Sequence, residues 1–517
     1  MTTLEHYFLP FREKIVGINQ HIQTPFGEKP LVYADWIASG RLYGPIEARI
    51  AGDIGPYMAN THTETNFTGG IMTQAYHRAQ QIIKKHVNAN DQDVLVAAYS
   101  GMTGVVNKLQ RMLGLRIHEK FHERLRLLPE ERPVVFCTHM EHHSNQTSWL
   151  ETICDLVILQ PGTDGRIDLP YLDSLLGQYQ DRPLKIAAIT SGSNVTGIMT
   201  PYHEIAALMH RHGGYCFVDF ACTAPYIDID MHPANPLEQL DAIYFSPHKF
   251  LGGPGTPGIL VFNRALYTNR IPDNPGGGTV LWTNPWGGHH YLDDIEARED
   301  GGTPPILQTI KAALAIRLKE QMGVSNMLER EHELLDMVWQ ELPVIPGLHI
   351  LEPEVHDRLG VVSFTLEEVH YNLAVKLLND LFGVQVRGGC ACAGTYGHFL
   401  FQISQERSCE IVQKIDAGDM SEKPGWIRLS LHPTMTNAEL RYILDAIRSV
   451  CRDYKKLSAD YVSDYVNGSF RHRNEPEKIQ RNLLNEWFES PLLEDRYGLM
   501  ERDSALPAVE LLTGQAV

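Results

Sequence analysis

Two side chains of opposite charge follow short apolar runs in the middle of the chain. Tyr215–Phe220 is typical of a buried strand that ends near Asp219, and Leu240–Phe245 of a second strand that leads to Lys249. The carboxyl ends of such strands open into one crevice, so both side chains are expected there. Desolvation lowers the pKa of a lysine and suits it to form a Schiff base, and a buried aspartate can pair with a protonated pyridine nitrogen. A pyridoxal phosphate (PLP) site requires both groups, but a lone lysine after a strand is more often a surface residue, so further partners are needed.

A small-residue turn between a strand and a helix could hold a phosphate. Ser100–Gly104 (SGMTG) follows the apolar run Asp93–Tyr99 and precedes a helical pattern. Backbone N–H groups at a helix N-terminus bind phosphate, and small residues allow it to approach. No Lys-Ser/Thr pair follows, so the turn is not a nucleotide P-loop. Taken alone, the turn is also compatible with an ordinary loop.

Histidines and cysteines offer a second kind of chemistry. His139 ends the apolar run Pro133–His139, and His142 and His143 follow it, so an imidazole there could stack on a planar cofactor. Metal binding with Cys390 and Cys392 is the alternative, but the spacing matches no common zinc signature. The glycines around these cysteines could expose a nucleophilic thiol, and an inert buried pair is equally compatible with the sequence.

An arginine also stands inside an apolar run. Arg428 in WIRLS (Trp426–Ser430) needs a partner, and a substrate carboxylate is a natural bidentate one. An internal salt bridge is the competing interpretation.

The elements that would position these residues alternate along the chain. From about residue 70, apolar runs alternate with helical patterns, which predicts a parallel sheet covered on both faces. Leu31–Trp36 predicts an earlier strand, after a short helix and a loop in the first 30 residues. The pattern changes near residue 306 to a long helical stretch and a smaller α/β unit. The tail from about residue 456 has weaker periodicity and one possible peripheral helix.

Composition excludes several classes of protein. The 517 residues carry a formal net charge of −18, which disfavours binding to nucleic acid or to an anionic membrane surface. No apolar run approaches the roughly 18 residues of a membrane span. Eight cysteines without regular spacing indicate a reducing compartment, so we expect a cytoplasmic protein.

Taken together and in chain order, these motifs resemble fold-type I PLP enzymes of the class V aminotransferase group. The ordered set comprises the SGMTG turn, Glu141–His143, SNVTG (Ser193–Gly197), Asp219, SPHK ending at Lys249, EDGGTP (Glu299–Pro304) and VRGGCAC. Within the group, the chain is most similar to group II cysteine desulfurases and selenocysteine lyases. The resemblance implies an α/β fold, with a large domain built on a mainly parallel seven-stranded sheet and a smaller C-terminal α/β domain. The expected units are an N-terminal segment (1–30) packed on the small domain, the large PLP-binding domain (31–305), the small domain (306–455) and a peripheral tail (456–517).

The same resemblance implies a role for each cofactor-binding residue. Lys249 would hold PLP covalently, Asp219 would pair with the pyridine nitrogen, and Asn194 would approach the ring hydroxyl. His142 would stack on the ring and take part in catalysis. The residues expected at the phosphate are Met102, Thr103, Ser246 and His248. Thr303 would reach the phosphate of a neighbouring subunit, which implies a homodimer.

The resemblance also implies the substrate and the nucleophile. Arg428, assisted by Arg387, would bind the carboxylate of L-cysteine or selenocysteine. Cys392 would take the sulfur as a persulfide and pass it to a thiol or protein acceptor. Cys390 is the less favoured nucleophile. No metal is expected.

Two departures from the family pattern leave the substrate open. Cys222 stands three residues after Asp219, where the family often has glutamine, and the segment 395–424 is longer than in compact desulfurases. The alternatives are another class V reaction without a catalytic thiol, namely transamination, epimerisation or β-lysis, and a non-catalytic metal- or sulfur-binding protein.

Overall fold

The alternating apolar and amphipathic segments form strands and helices in the order that the sequence predicts. The computed structural model describes residues 3–491 except 62, 64, 126, 465 and 476. The helices are α1 (Thr3–Arg12), α2 (Gly44–Ala48), α3 (Phe67–His86), α4 (Gly101–Met112), α5 (His143–Leu150), α6 (Leu169–Gln178), α7 (Tyr202–Arg211), α8 (Ile295–Glu299), α9 (Ile306–Met322), α10 (Val324–Glu341), α11 (Tyr371–Phe382), α12 (Gly394–Leu400), α13 (Gln405–Asp416), α14 (Asn437–Leu457) and α15 (Glu477–Glu489).

The strands fall into two larger sheets and several two-stranded pairs. They are β1 (His21–Thr24), β2 (Gly27–Pro30), β3 (Val32–Tyr33), β4 (Asp93–Ala98), β5 (Val134–Thr138), β6 (Asp155–Leu159), β7 (Lys185–Thr190), β8 (Tyr215–Asp219), β9 (Ala242–Phe245), β10 (Gly258–Asn263), β11 (Val280–Thr283), β12 (His289–Tyr291), β13 (Leu348–Ile350), β14 (Val361–Leu366), β15 (Val384–Gln385), β16 (Arg387–Gly389), β17 (Trp426–Ser430), β18 (Tyr461–Asp464) and β19 (Ser469–His472).

The large sheet has seven strands in the order β4-β10-β9-β8-β7-β5-β6. Strands β9, β8, β7, β5 and β6 run parallel to one another, and β10 is antiparallel to both β4 and β9. Every residue of β5, β7 and β9 is buried, as expected for strands covered by helices on both faces. The prediction of a mainly parallel seven-stranded sheet is confirmed.

A four-stranded antiparallel sheet, ordered β13-β14-β17-β16, forms the centre of the C-terminal unit. Helices α11 and α14 pack together, and α11 also lies against β16 and β17. Helix α9, the first one after residue 305, packs along α3 and shares an apolar cluster with it. The structure thus places α9 beside a helix of the large unit.

The N-terminal segment differs from the expected helix and loop. After α1, strands β1 and β2 form a hairpin in which Thr24 pairs with Gly27, whose φ of 87° closes the turn. The strand expected at Leu31–Trp36 is reduced to Val32–Tyr33, and it pairs with β15 of the C-terminal unit. Helix α1 also contacts this unit, since Arg12 forms a 2.6 Å ion pair with Glu439.

The tail contains the β18–β19 hairpin and the exposed helix α15, and its final part, 492–517, lies outside the described residues. Among the described helices, none has the length and apolar character needed to cross a membrane.

Candidate active site

A cavity of about 410 Å³ lies where β7, β8 and β9 end. Asp219 is the last residue of β8, and Thr190, the last residue of β7, also lines the cavity. All predicted site residues except Thr303 line it: Met102, Thr103, His142, Asn194, Asp219, Ser246, His248, Lys249, Arg387, Cys392 and Arg428. The structure therefore brings residues from both sheets and more than 300 positions of sequence into one site.

Lys249 and Asp219 both line this cavity. Burial lowers the pKa of Lys249 from its ordinary value, and the positive charge of Arg428 lowers it further. Burial raises the pKa of Asp219 to about 6, against the opposing effects of the Ala221 N–H donor and of Lys249. The lysine is thus more easily deprotonated than usual, and a cationic ring nitrogen beside Asp219 would stabilise its carboxylate.

The start of α4 also lines the cavity. Ser100 and Gly101 have positive φ values of 72° and 61°, so the chain turns sharply into the helix. Here the Met102 N–H donates to Ser246 Oγ at 2.8 Å, and a Cβ on Gly101 would lie 3.1 Å from the same oxygen. Free N–H groups at the N-terminus of a helix of this length attract phosphate. This part of the cavity fits a phosphate group.

Buried polar atoms without partners further support the fit of a polar ligand such as PLP. The Thr256 hydroxyl and Arg428 Nε lie in the cavity wall, and neither has a hydrogen-bond partner among the described residues. A buried unpaired polar atom is costly, which indicates that a ligand satisfies it. With Lys249, Asp219 and the α4 terminus, the cavity offers groups for the aldehyde, ring nitrogen and phosphate of PLP.

His142 lies in the cavity at the start of α5. Its Nδ1 accepts the Ser144 N–H at 3.1 Å and caps the helix. Burial, together with the nearby charge of Lys249, lowers the pKa of His142 to about 3, so the ring is neutral at pH 7. A neutral flat ring in this position suits stacking on a cofactor. His248 is also neutral, because burial lowers its pKa to about 4.

Cys392 lies on a tight turn that ends at the cavity. The Ala393 N–H donates to the Cys390 carbonyl at 2.9 Å, and the two central residues, Ala391 and Cys392, have φ values of 48° and 58°. Residues other than glycine rarely adopt this left-handed region, and such strain is often found at functional sites. Cys392 is exposed, whereas Cys390 is half-buried.

Hydrogen bonds from other elements stabilise this turn. The His143 N–H donates to the Cys392 carbonyl at 2.7 Å, and His143 Nε2 accepts the Gly394 N–H at 2.9 Å. Asn194, which we expected at the cofactor hydroxyl, donates from Nδ2 to the Ala391 carbonyl at 2.8 Å. In this structure the amide therefore holds the cysteine turn.

Both predicted arginines share a carboxylate that the sequence analysis missed. Arg428 is almost fully buried and donates from Nη2 to Asp35 Oδ1 at 2.6 Å, and Arg387 donates from Nε to Asp35 Oδ2 at 2.9 Å. The internal salt bridge considered for Arg428 is thus present, while its Nε stays without a partner. The signal in the sequence was weak, because Asp35 only follows a short apolar run.

Cys222 takes part in the cavity wall as a neutral thiol. Its Sγ donates to the Gly192 carbonyl at 2.8 Å, and burial raises its pKa to about 12. Thr103 and Ser144 also contact each other, with 2.6 Å between their hydroxyl oxygens. Ser144 and Thr256, both in the cavity wall, were not singled out from the sequence.

Thr303 lies outside this cavity. It is exposed and lines a second one, of about 580 Å³, which shares Ser100 and Thr103 with the first. The two cavities therefore flank the start of α4 from two sides.

The histidines considered as metal ligands have other partners. The His139 ring contacts the Gly165 carbonyl, with 3.2 Å between Nε2 and the oxygen, and packs against Tyr396 and Phe399. In the part of the chain that the structure describes, no group of three or more His, Cys, Asp or Glu side chains is arranged to bind a metal.

Comparison with known proteins agrees with this geometry. The family model Aminotransferase class-V matches residues 32–443. The chain belongs to this family. Class V aminotransferases are PLP-dependent enzymes, so the predicted resemblance and enzyme class are confirmed.

Several relatives of this class V protein carry a more specific name. A probable cysteine desulfurase of Halalkalibacterium halodurans is 28% identical over 372 residues, covering 70% of this chain and 84% of the relative. A probable cysteine desulfurase of Staphylococcus aureus is 28% identical over 342 residues, covering 65% of this chain and 77% of the relative.

Solved structures confirm the fold of this class V chain. The apo cysteine desulfurase of Thermococcus onnurineus NA1 has a TM-score of 0.68 at 20% identity and covers 86% of this chain and 98% of its own. The cysteine desulfurase CsdA of Escherichia coli, at 20% identity, has a TM-score of 0.65 with the same coverage. The expected fold-type I architecture is thus present.

Proposed function

We propose that this protein is a PLP-dependent cysteine desulfurase, which converts L-cysteine into alanine and leaves the sulfur on Cys392 as a persulfide. The observation that carries the proposal is the exposed, strained Cys392 turn in the same cavity as Lys249 and Asp219. Transamination and epimerisation need the lysine and the aspartate but no thiol. The names of the relatives in two bacteria support the same choice.

Each part of the cofactor would have a partner among the cavity residues. Lys249 Nζ would hold PLP covalently, the Asp219 carboxylate would pair with the ring nitrogen, and the neutral His142 ring would stack on it. Met102, Thr103, Ser246 and His248 would surround the phosphate. When bound, PLP supplies an electron sink that stabilises negative charge at the substrate Cα.

Arg428 and Lys249 would prepare the substrate for the loss of sulfur. The unpartnered Nε of Arg428, with a neighbouring N–H, would bind the carboxylate and fix the orientation of the Cα–H bond. Lys249 Nζ, whose pKa burial lowers, would then take the proton from Cα.

Cys392 would act as the nucleophile. Its thiolate attacks the substrate sulfur, a sulfur–sulfur bond forms, and the bond between sulfur and Cβ breaks. The electron pair of that bond stays with the carbon fragment, which takes up one proton at Cβ, regains at Cα the proton that Lys249 had removed, and leaves as alanine. Because Cys392 is exposed, a thiol or an acceptor protein could then reach the persulfide. Selenocysteine would react in the same way.

Surface features favour a homodimer. The β11–β12 hairpin exposes Leu281 and Trp282, and Trp286 between the two strands is 88% exposed. Such an apolar projection is typical of a protein contact, and Thr303 beside the second cavity would be near the same interface. A cytoplasmic location is supported by the eight cysteines, each of which is free in the described chain.

A product assay tests the proposed function. Purified holoenzyme is given L-cysteine, and alanine, sulfide and keto acid are quantified while mass spectrometry locates the persulfide. We expect alanine in the wild type and in Cys409→Ser, a matched variant at another exposed thiol, and the persulfide on Cys392. Cys392→Ser should retain the visible absorption of the cofactor but release sulfur at least about a hundredfold more slowly. Wild-type sulfide release from Cys392→Ser would refute the role of this thiol, and keto acid in place of alanine would assign another class V reaction.

A further inference from the structure

Two arginines stand side by side across the β16–β17 pair. Arg387 lies directly opposite Arg428 in the antiparallel register of these strands, and both side chains line the cavity. Like charges that face each other across a sheet repel, and burial of Arg428 increases the cost. A counter-charge is therefore required, and Asp35 supplies it with one carboxylate oxygen to each guanidinium.

The backbone around Asp35 is held firmly at this position. The Ser430 N–H, at the end of β17, donates to the Ala34 carbonyl at 2.9 Å, and the Ala38 N–H donates to the Asp35 carbonyl at 3.0 Å. The Tyr33 hydroxyl donates to the same Asp35 oxygen at 3.1 Å. Asp35 itself does not line the cavity, so its carboxylate contacts the arginines from outside the substrate space.

The net charge of the cluster formed by Arg387, Arg428 and Asp35 matches a substrate with a single carboxylate. Two guanidinium groups and one carboxylate leave a net charge of +1 beside the substrate space. The other acidic and basic side chains in the cavity wall, Asp219 and Lys249, have opposite formal charges. One excess positive charge complements one substrate carboxylate and no second anionic group.

We propose that Asp35 is a specificity-determining residue, which restricts the site to amino acids with an uncharged side chain by neutralising one of the two arginines. This inference rests on the proposed function and names its substrate class. Asp35 acts through Arg387 and Arg428. Without its charge, Arg387 would be free to bind the side-chain carboxylate of an acidic amino acid.

Equilibrium binding tests this inference without turnover. Calorimetry gives the dissociation constants of the PLP-loaded protein for L-alanine and L-aspartate, which differ by one side-chain carboxylate. The wild type and Asp35→Glu should prefer L-alanine. Asp35→Asn raises the net charge of the cluster to +2. The preference of this variant for L-alanine over L-aspartate should fall at least about tenfold. Asp35→Asn/Arg387→Gln returns the net charge to +1 and should regain the wild-type preference.

The double variant separates this role from a structural one. A packing defect at Asp35 would not be repaired by the loss of a second partner, so failure of Arg387→Gln to restore the preference overturns the inference. An unchanged ratio in Asp35→Asn overturns it as well. If Asp35→Asn does not fold, Arg387→Gln alone is tested, which lowers the net charge of the cluster to zero. It should weaken the binding of L-aspartate more than that of L-alanine. The opposite order would contradict the proposal. Failure of the proposed function has a different signature, namely no alanine from L-cysteine in the wild type.

Discussion

The most informative perturbation of the nucleophile is His143→Ala. Its ring holds the cysteine turn by accepting the Gly394 N–H at 2.9 Å, and it is not among the residues assigned to the cofactor. The substitution keeps the His143 backbone N–H, which donates to the Cys392 carbonyl. It therefore removes one support of the turn and leaves the others in place.

The expected size of the His143→Ala effect follows from the balance between backbone strain and hydrogen bonds in the turn. Two residues in the left-handed region, Ala391 and Cys392, cost about 1–2 kcal/mol each. Four hydrogen bonds oppose this strain: Ala393 N–H to Cys390, His143 N–H to Cys392, Asn194 to Ala391 and Gly394 N–H to His143. At about 1 kcal/mol net for each bond, the two sums are nearly equal. Loss of one bond should lower the population of the reactive turn about two- to fivefold, since 1.4 kcal/mol is tenfold.

The assay compares sulfur release with cofactor binding. In His143→Ala, kcat for sulfide and alanine should fall about two- to fivefold, while the cofactor absorption and the L-alanine dissociation constant stay unchanged. Ala391→Gly in this background should recover part of the loss, because glycine adopts positive φ at little cost. His212→Ala, at a ring that bonds Asp173 instead, is the control. The reasoning is refuted if His143→Ala matches His212→Ala, or if Ala391→Gly gives no recovery.

The same contact predicts a pH dependence. Burial and the nearby charge of Lys423 lower the pKa of His143, so its Nε2 is an unprotonated acceptor at neutral pH. As pH falls through this lowered pKa, Nε2 becomes protonated and no longer accepts the Gly394 N–H. The difference between wild type and His143→Ala should therefore be present at neutral and alkaline pH and shrink in acid.

Three further predictions follow from individual contacts. Asp219→Asn removes the carboxylate from the ring nitrogen and should weaken PLP binding about ten- to a hundredfold, measured by equilibrium dialysis; unchanged affinity would contradict its assignment. Arg428→Lys loses the bidentate fork and should raise KM for L-cysteine about tenfold with the absorption spectrum unchanged, whereas an unchanged KM would remove Arg428 from the substrate site. Glu331 is buried, and burial raises its pKa to about 8, so it contributes stability that is lost as pH rises from about 4.5 towards 8. The melting temperature of Glu331→Gln minus that of the wild type should therefore be higher at pH 8.5 than at pH 5. Equal differences at the two pH values would disprove this coupling.

The sequence allowed prediction of residues whose position depends on a local element. Asp219 and Lys249 follow apolar strands, and the parallel topology brings the ends of these strands to one edge. Arg428 was found for the same reason, since a charge inside an apolar strand needs a partner. These signals need only the periodicity of a short segment.

Features that depend on distant contacts could not be predicted in this way. Asp35 meets Arg387 and Arg428 across 352 and 393 positions, and no local pattern records that pairing. The left-handed turn at Ala391 and Cys392 also gave no signal, because glycine is the usual marker of positive φ. Its stability comes from α5 and from Asn194, which belong to another part of the chain.

The central claim is that Lys249 holds PLP in the cavity that also contains Cys392. The direct measurement is borohydride reduction of the PLP-loaded protein, followed by digestion and mass spectrometry of the lysine-containing peptides. We expect loss of the visible absorption band and a pyridoxyl-phosphate mass on Lys249, with no such label in Lys249→Ala. A label on another lysine, or none in a protein that retains its absorption band, would contradict the account.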